Sequence, residues 1–169
     1  MNELESAYFT SPLGQIRIVA ENGLIIGLDF IDGQVAEAGA SILPGEPKKW
    51  LAAYFEGKNP SLAGLPLAPQ GSAFCRMVWG IIAQIPYGAT MTYGDIARRI
   101  GSSPRAVGQA TGRNPIALLI PCHRVMGAGN KLTGYGPGIW RKQWLLAHEA
   151  GRQSKPTWRQ QQKKKKKES

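Results

Sequence analysis

Two residues in the stretch "LLIPCHRVMG", Leu118 to Gly127, can do chemistry together: Cys122 and its neighbour His123. A free thiol with a pKa near 8.5 is only a few per cent ionised at neutral pH, and the thiolate is the nucleophile. A histidine that accepts the thiol proton, directly or through a water, removes that obstacle. The histidine then needs a carboxylate or carbonyl on its other ring nitrogen. Glu149, in the last helical stretch, is a candidate, although a carboxylate at a helix end is also commonly a solvated one. Two other readings of Cys122 stand beside this one. A zinc site needs three or four ligands, and the chain has two Cys and two His in all, two of them adjacent in sequence. No metal is expected. A small buried cysteine in an apolar core is the plain alternative. The apolar run that leads into Cys122 reads as a core strand.

The elements that must hold these residues follow from periodicity. Residues 7 to 30 read as strands, broken by turns at "SPLG" and at Asn22-Gly23, where both residues tolerate positive φ. "PKKWLAAYFE" sets Trp50, Leu51, Tyr54 and Phe55 at helical spacing, with Gly57 as the stop. Residues 57–71 read as an extended connector. Beyond it Ser72 caps a helix whose apolar face is Phe74, Val78, Ile81, Ile82 and Ile85, with Cys75 near that face as core. Pro86-Tyr87-Gly88 turns the chain. "TYGD" has the form of a capping box before "IARRI", and Gly101 ends that helix. Ser103 as N-cap and Pro104 at the first position start another. Two short helices so joined suggest a helix-turn-helix. The second is built of small residues, Ala106, Gly108, Ala110 and Gly112, with Arg105 alone near its start. Such a helix can approach a backbone closely, either a neighbouring helix or another molecule. It lacks the Asn, Gln and Arg set that reads major-groove base edges. A Gly-rich loop follows Cys122, and "IWRKQWLLAHE" closes as an amphipathic helix with Trp140, Trp144, Leu145 and Ala147 near its apolar side.

Length and composition bound the rest. The chain of 169 residues, 43% hydrophobic, can bury a core as one domain or two small ones. No apolar run of about 18 residues predicts a membrane span, and "MNELESAYF" lacks the basic and apolar segments of a secretion signal. A cytoplasmic protein with reduced thiols is expected. Of the formal charge of +10, eight of 21 Lys+Arg and one of 11 Asp+Glu lie after Gly151, leaving the body at only +3. Bulk charge therefore does not establish nucleic-acid binding. The boundaries predicted are an N-terminal α+β part over 1–70, a helical part over 71–151, and a disordered basic tail over 152–169.

Several of these stretches together resemble the methylated-DNA–protein-cysteine methyltransferases, the alkylguanine-DNA alkyltransferase family. They are "NPIALLIPCHRV", "LTGYGPGIWRKQWLLAHE", "IPYGATMTYGDIARRIG" and "PRAVGQATGRNP", in matching order and spacing over residues 72 to 150. The resemblance is weaker over 7 to 70. It implies an α+β fold: a small ribonuclease-H-like domain followed by a mostly helical, winged-helix-like helix-turn-helix domain. It implies direct-reversal DNA repair on double-stranded DNA carrying alkylated guanine, approached through the minor groove by a monomer without a cofactor.

Residue by residue, the resemblance makes Cys122 the acceptor of an alkyl group from oxygen 6 of guanine, once per molecule. His123 is the water-linked base, Glu149 orients it, and Asn114 ties backbone near the active-site segment. Tyr93 bonds ring nitrogen 3 of the flipped base, and Arg105 fills the gap left in the stack. Ala106 and Gly108 belong to the helix laid along the DNA. Tyr135 and Gly136 close the pocket, and backbone carbonyls at Cys122 and Val125 receive the guanine amino group. Two positions depart from the family pattern. Pro137 removes an N–H in "GYGPG" and fixes φ, and Trp140 stands where a charged residue is frequent. A non-catalytic alkylated-DNA-binding protein is the alternative, although such relatives lack the cysteine. A turning-over thiol hydrolase would leave Arg105 and the helix pair without a purpose.

Overall fold

The computed structural model describes residues 4–32 and 45–151. The basic tail, 152–169, lies outside the described residues, so its predicted disorder has no counterpart here. The chain begins with three antiparallel strands, β1 (Leu4–Ser11), β2 (Gly14–Glu21) and β3 (Leu24–Ile31), in sheet order β1-β2-β3. On β2 alternate residues Ile16, Ile18 and Ala20 are fully buried, as a sheet covered on one face requires. The β2–β3 turn is tight because Asn22 and Gly23 both take positive φ, 52° and 80°, matching the strand twist. Helix α1 (Glu46–Phe55) lays Trp50, Leu51 and Tyr54 into the core.

The predicted connector does more than connect. Leu67 of the connector bridges to Ile25 of β3, and Ile116 of the second half bridges to Leu28, so β3 is met by both. Helix α2 (Ala73–Ile82) starts at Ser72, whose side chain accepts from the Cys75 amide. Its buried face is Cys75, Val78, Trp79 and Ile82, whereas Phe74 and Ile81, expected inside, are only half-buried. Trp79 displaces them because its indole N–H reaches the Ala110 carbonyl at 2.8 Å, satisfying the polar edge of a buried ring.

The helix pair forms as its caps dictate. Thr92 and Asp95 make a reciprocal capping box at the start of α3 (Tyr93–Ile100), and Gly101 ends it at φ 65°. Ser103 caps α4 (Pro104–Gly112) by accepting from the Ala106 amide. A short parallel pair, β4 (Met91–Thr92) with β5 (Val125–Met126), joins the entry of α3 to the segment after Cys122. The fold is α+β, a small sheet part followed by a helical part with a helix-turn-helix.

Two expectations fail here. The apolar run 116–120 is not a strand. It is a buried turn with Leu118 at φ 69°, because the Asn114 side chain closes the loop from both ends. And α5 (Ile139–Glu149) does not bury a purely apolar stripe: Trp140, Trp144 and Ala147 are half-buried, while Arg141, Lys142, Leu145 and Glu149 are buried.

Candidate active site

Cys122 opens a single 3-10 turn, Cys122–Arg124, that directly follows the buried turn. Asn114 fixes the approach. Its Nδ2 donates to the Ile120 carbonyl at 2.8 Å, and its Oδ1 accepts from the Ile116 amide at 3.0 Å. Cys122 itself lines a cleft of about 370 Å³ between the helix pair and β3, a size suited to a small organic group. The same cleft is lined by Tyr93, Gly108, Tyr135, Gly136 and Pro137, and by Leu28, Asp29 and Phe30 from the sheet.

Behind the cleft lies a buried hydrogen-bond network. His123 is 0% exposed, and its Nε2 sits 2.6 Å from Glu149 Oε2. Glu149 was open to a solvated reading from sequence; it is buried instead and accepts five hydrogen bonds. Oε2 takes His123, the Tyr54 hydroxyl at 2.6 Å and Arg124 Nη2 at 3.0 Å. Oε1 takes Arg124 Nε at 2.7 Å and the Gly88 amide at 3.2 Å. Burial alone would raise the Glu149 carboxyl, but hydrogen bonds and charge from His123 and Arg124 overcome it and hold it far below the carboxylate range. An ionised Glu149 can only accept, so His123 Nε2 must carry its proton toward it. The other ring nitrogen, Nδ1, is then the bare acceptor, and it is buried without a protein partner.

The titrations fit a resting neutral pair. Burial pushes the Cys122 thiol up, against the opposing pull of Asn114 and the Lys142 charge. Burial pushes His123 down, against the pull of Glu149. The thiol is therefore protonated at rest, and its sequence neighbour His123 is a neutral imidazole with a free lone pair.

Not every predicted residue reaches the cleft. Arg105 is exposed at the start of α4, Ala106 is half-buried beside it, and neither lines the cleft. Val125 is fully buried and does not line it either; its carbonyl accepts from Lys142 Nζ at 2.6 Å. Tyr93 does line it, and its hydroxyl accepts from Thr133 Oγ1 at 3.4 Å. Pro137 turns its carbonyl to Arg141 Nη1 at 2.7 Å, while Trp140 lies over the Arg141 guanidinium at 4.6 Å. Among the described residues no group of three or more His, Cys, Asp or Glu could hold a metal ion.

Sequence reasoning missed Tyr54, Arg124 and Lys142 as parts of the site. From sequence Tyr54 reads only as part of an apolar helix face, and nothing in a single sequence connects it to a residue in α5. Lys142 gave a usable signal: it lies three residues before Leu145, on the inward side of the helix. Its amine is buried against the Val125 and Thr133 carbonyls.

Comparison with known proteins decides the family. Residues 73–151 match the 6-O-methylguanine DNA methyltransferase DNA binding domain, and residues 5–69 match the ribonuclease-like domain of the same family. The chain belongs to the 6-O-methylguanine DNA methyltransferase family. A methylated-DNA–protein-cysteine methyltransferase of Methanosarcina acetivorans is 42% identical over 151 residues, covering 85% of this chain and 96% of that one. The crystal structure of Mycobacterium tuberculosis O6-methylguanine methyltransferase superposes with TM-score 0.78 at 35% identity, covering 91% of this chain and 97% of its own. The M. tuberculosis protein in complex with DNA gives TM-score 0.74 at 39% identity, over 85% and 91% of the two chains. Membership of this family accounts for both halves of the fold, the small sheet part and the helix pair.

Proposed function

We propose that this chain repairs DNA by direct reversal, transferring an alkyl group from oxygen 6 of guanine to its own Cys122. The observation that carries this reading is the buried, unpartnered His123 Nδ1 next to a thiol that opens on a cleft. The thiol proton passes through a water to Nδ1, and Glu149 stabilises the imidazolium that forms. The thiolate attacks the alkyl carbon. A sulfur–carbon bond forms, the carbon–oxygen bond breaks, and its electron pair stays with guanine. The relayed proton neutralises the base as it leaves. Cys122 keeps a thioether with no route back, so each molecule acts once.

The target base must leave the duplex to reach a recessed thiol, at a cost of a few kcal/mol. Helix α4 has the form for this work: small outward residues that let it lie in the minor groove, and Arg105 exposed at its start to replace the lost stacking partner. Tyr93 contacts ring nitrogen 3. The Gly136 amide meets oxygen 6, and the second lone pairs of the Cys122 and Val125 carbonyls receive the amino group. All relay residues come from one chain, which suits a monomer acting on DNA in the cytoplasm. Residues 1–70 and 71–151 act as support and reacting parts. The tail, 152–169, adds sequence-independent attraction to phosphates.

The test is a mass spectrum after incubation with duplex DNA carrying 6-O-methylguanine. One methyl mass should appear on Cys122, and the Cys122→Ser protein should bind the duplex but take up none. Sustained turnover by the pure protein would overturn the single-use mechanism.

A further inference from the structure

Glu149 receives one donor that the transfer reaction does not require. Tyr54 lies on α1, 95 residues upstream, yet its hydroxyl donates to Glu149 Oε2 at 2.6 Å. That is the oxygen to which His123 Nε2 also donates at 2.6 Å. Orientation of the carboxylate does not depend on Tyr54. Arg124 grips both oxygens through Nε and Nη2, and the Gly88 amide holds Oε1. Tyr54 contributes a partial positive charge on the same atom that must stabilise the imidazolium.

We propose that Tyr54 is a positioning residue that restrains the basicity of His123 by sharing Glu149 Oε2, so that the N-terminal half sets the pH at which Cys122 becomes reactive. The proposal rests on Cys122 and His123 acting as a thiol–base pair. Tyr54 is fixed as a permanent donor. It is 1% exposed, and burial, with Glu149 beside it, pushes its phenol well above the ordinary range. Its ring stacks on Trp50 with centroids 5.3 Å apart, and Tyr87 meets it edge-on at 6.0 Å. Its carbonyl takes the His148 ring nitrogen at 2.7 Å. The hydroxyl therefore cannot swing away from Oε2.

The other charged and titratable groups facing the relay act differently. Arg124 and Lys142 are cations that both oppose protonation of His123. Tyr135 faces Cys122, and Tyr87 faces Glu149 and Arg124 from the 86–88 turn. Among the described residues, the hydrogen bonds at Oε2 come from His123, Arg124 and Tyr54. Of the three, Arg124 carries a charge and His123 is the base itself, so Tyr54 is the donor that can be removed without deleting a charge or the proton acceptor.

The experiment measures alkylation of Cys122 by iodoacetamide against pH, located by peptide mass so that Cys75 does not interfere, together with uptake from a free benzylated guanine base. In Tyr54→Phe the carboxylate gives more of its charge to His123. The pH midpoint of Cys122 reactivity should fall by roughly half a unit in both assays. An unchanged midpoint with only a lower melting temperature makes Tyr54 a packing residue and overturns the proposal, as does an upward shift. Replacing Tyr54 by 3-fluorotyrosine, a stronger donor of nearly the same shape, should move the midpoint the other way and covers a Tyr54→Phe protein that fails to fold. If the parent reacts with iodoacetamide but takes nothing from the guanine base, the transfer reading fails while the Tyr54 coupling is still measured.

Discussion

Around Glu149, five hydrogen bonds from the protein converge on two oxygens, whereas the outward side of α4 presents Pro104, Arg105, Gln109 and Gly112, with Ala106 and Gly108 half-buried between them. The first region is complete within the folded chain. The second is open to solvent, and in the proposed reading DNA lies against it. Low dielectric explains the division: a hydrogen-bonded charge network gains strength away from water, where each donor must be matched. In the proposed reading α4 meets a polyanion, and such a surface gains nothing from burial and needs close backbone approach.

The largest effect should come from breaking the complete region. Glu149→Gln leaves Arg124 buried without its counter-charge, a loss of about 3–5 kcal/mol for such pairs. Thermal melting should show it. His123→Ala removes the proton acceptor while leaving the Glu149–Arg124 pair, so its loss of alkyl transfer at pH 7 should exceed its loss of stability. Burial holds the Cys122 thiol protonated. The His123→Ala defect should therefore shrink only as pH rises beyond the ordinary thiol range of about 8.5, into the range where the raised Cys122 thiol ionises unaided. A rate defect that stays constant while the variant's Cys122 thiol ionises would mean that His123 serves packing alone.

Arg105→Ala tests the open region and should act on one substrate only. Repair of duplex DNA should slow by roughly tenfold, from the loss of a stacking replacement in a flipped site. Transfer from a free benzylated base should be unchanged. Equal losses on both would erase the distinction between the two regions.

Much of this division was legible in the sequence. The caps at Ser72, Thr92 and Ser103, the stop at Gly101 and the hairpin at Asn22-Gly23 are local chemistry, and each appears where it was read. Cys122 beside His123 is likewise a local signal. What could not be read is what depends on distant partners. Leu118 enters a left-handed turn because Asn114, four residues earlier, bonds across the loop, and apolar content alone suggested a strand. Arg141 is 1% exposed because the Leu13 carbonyl, the Pro137 carbonyl and Asp32 meet its guanidinium, two of them from the other half of the chain. A hydropathy pattern treats such a residue as surface.

The smallest effect concerns the entry to the helix pair. Hydrogen bonds with Thr92 hold the half-buried Asp95 carboxyl below its ordinary value. A depressed carboxyl stabilises the fold above its unfolded value of about 4, and that contribution disappears as pH falls through the lower folded value. Asp95→Asn should thus melt slightly below the parent at pH 7 and converge with it near pH 2. A gap that persists in acid would show that the cap works by shape rather than charge.

Trp79 gives α4 an optical handle. Its ring is 2% exposed and its N–H is tied to the Ala110 carbonyl inside the last turn of that helix. An indole in such surroundings emits toward the blue, and loosening that bond lets water shift its emission to the red. With Trp50, Trp140, Trp144 and Trp158 replaced by phenylalanine, the remaining fluorescence would report in real time whether α4 stays seated on α2 as a duplex is loaded and released.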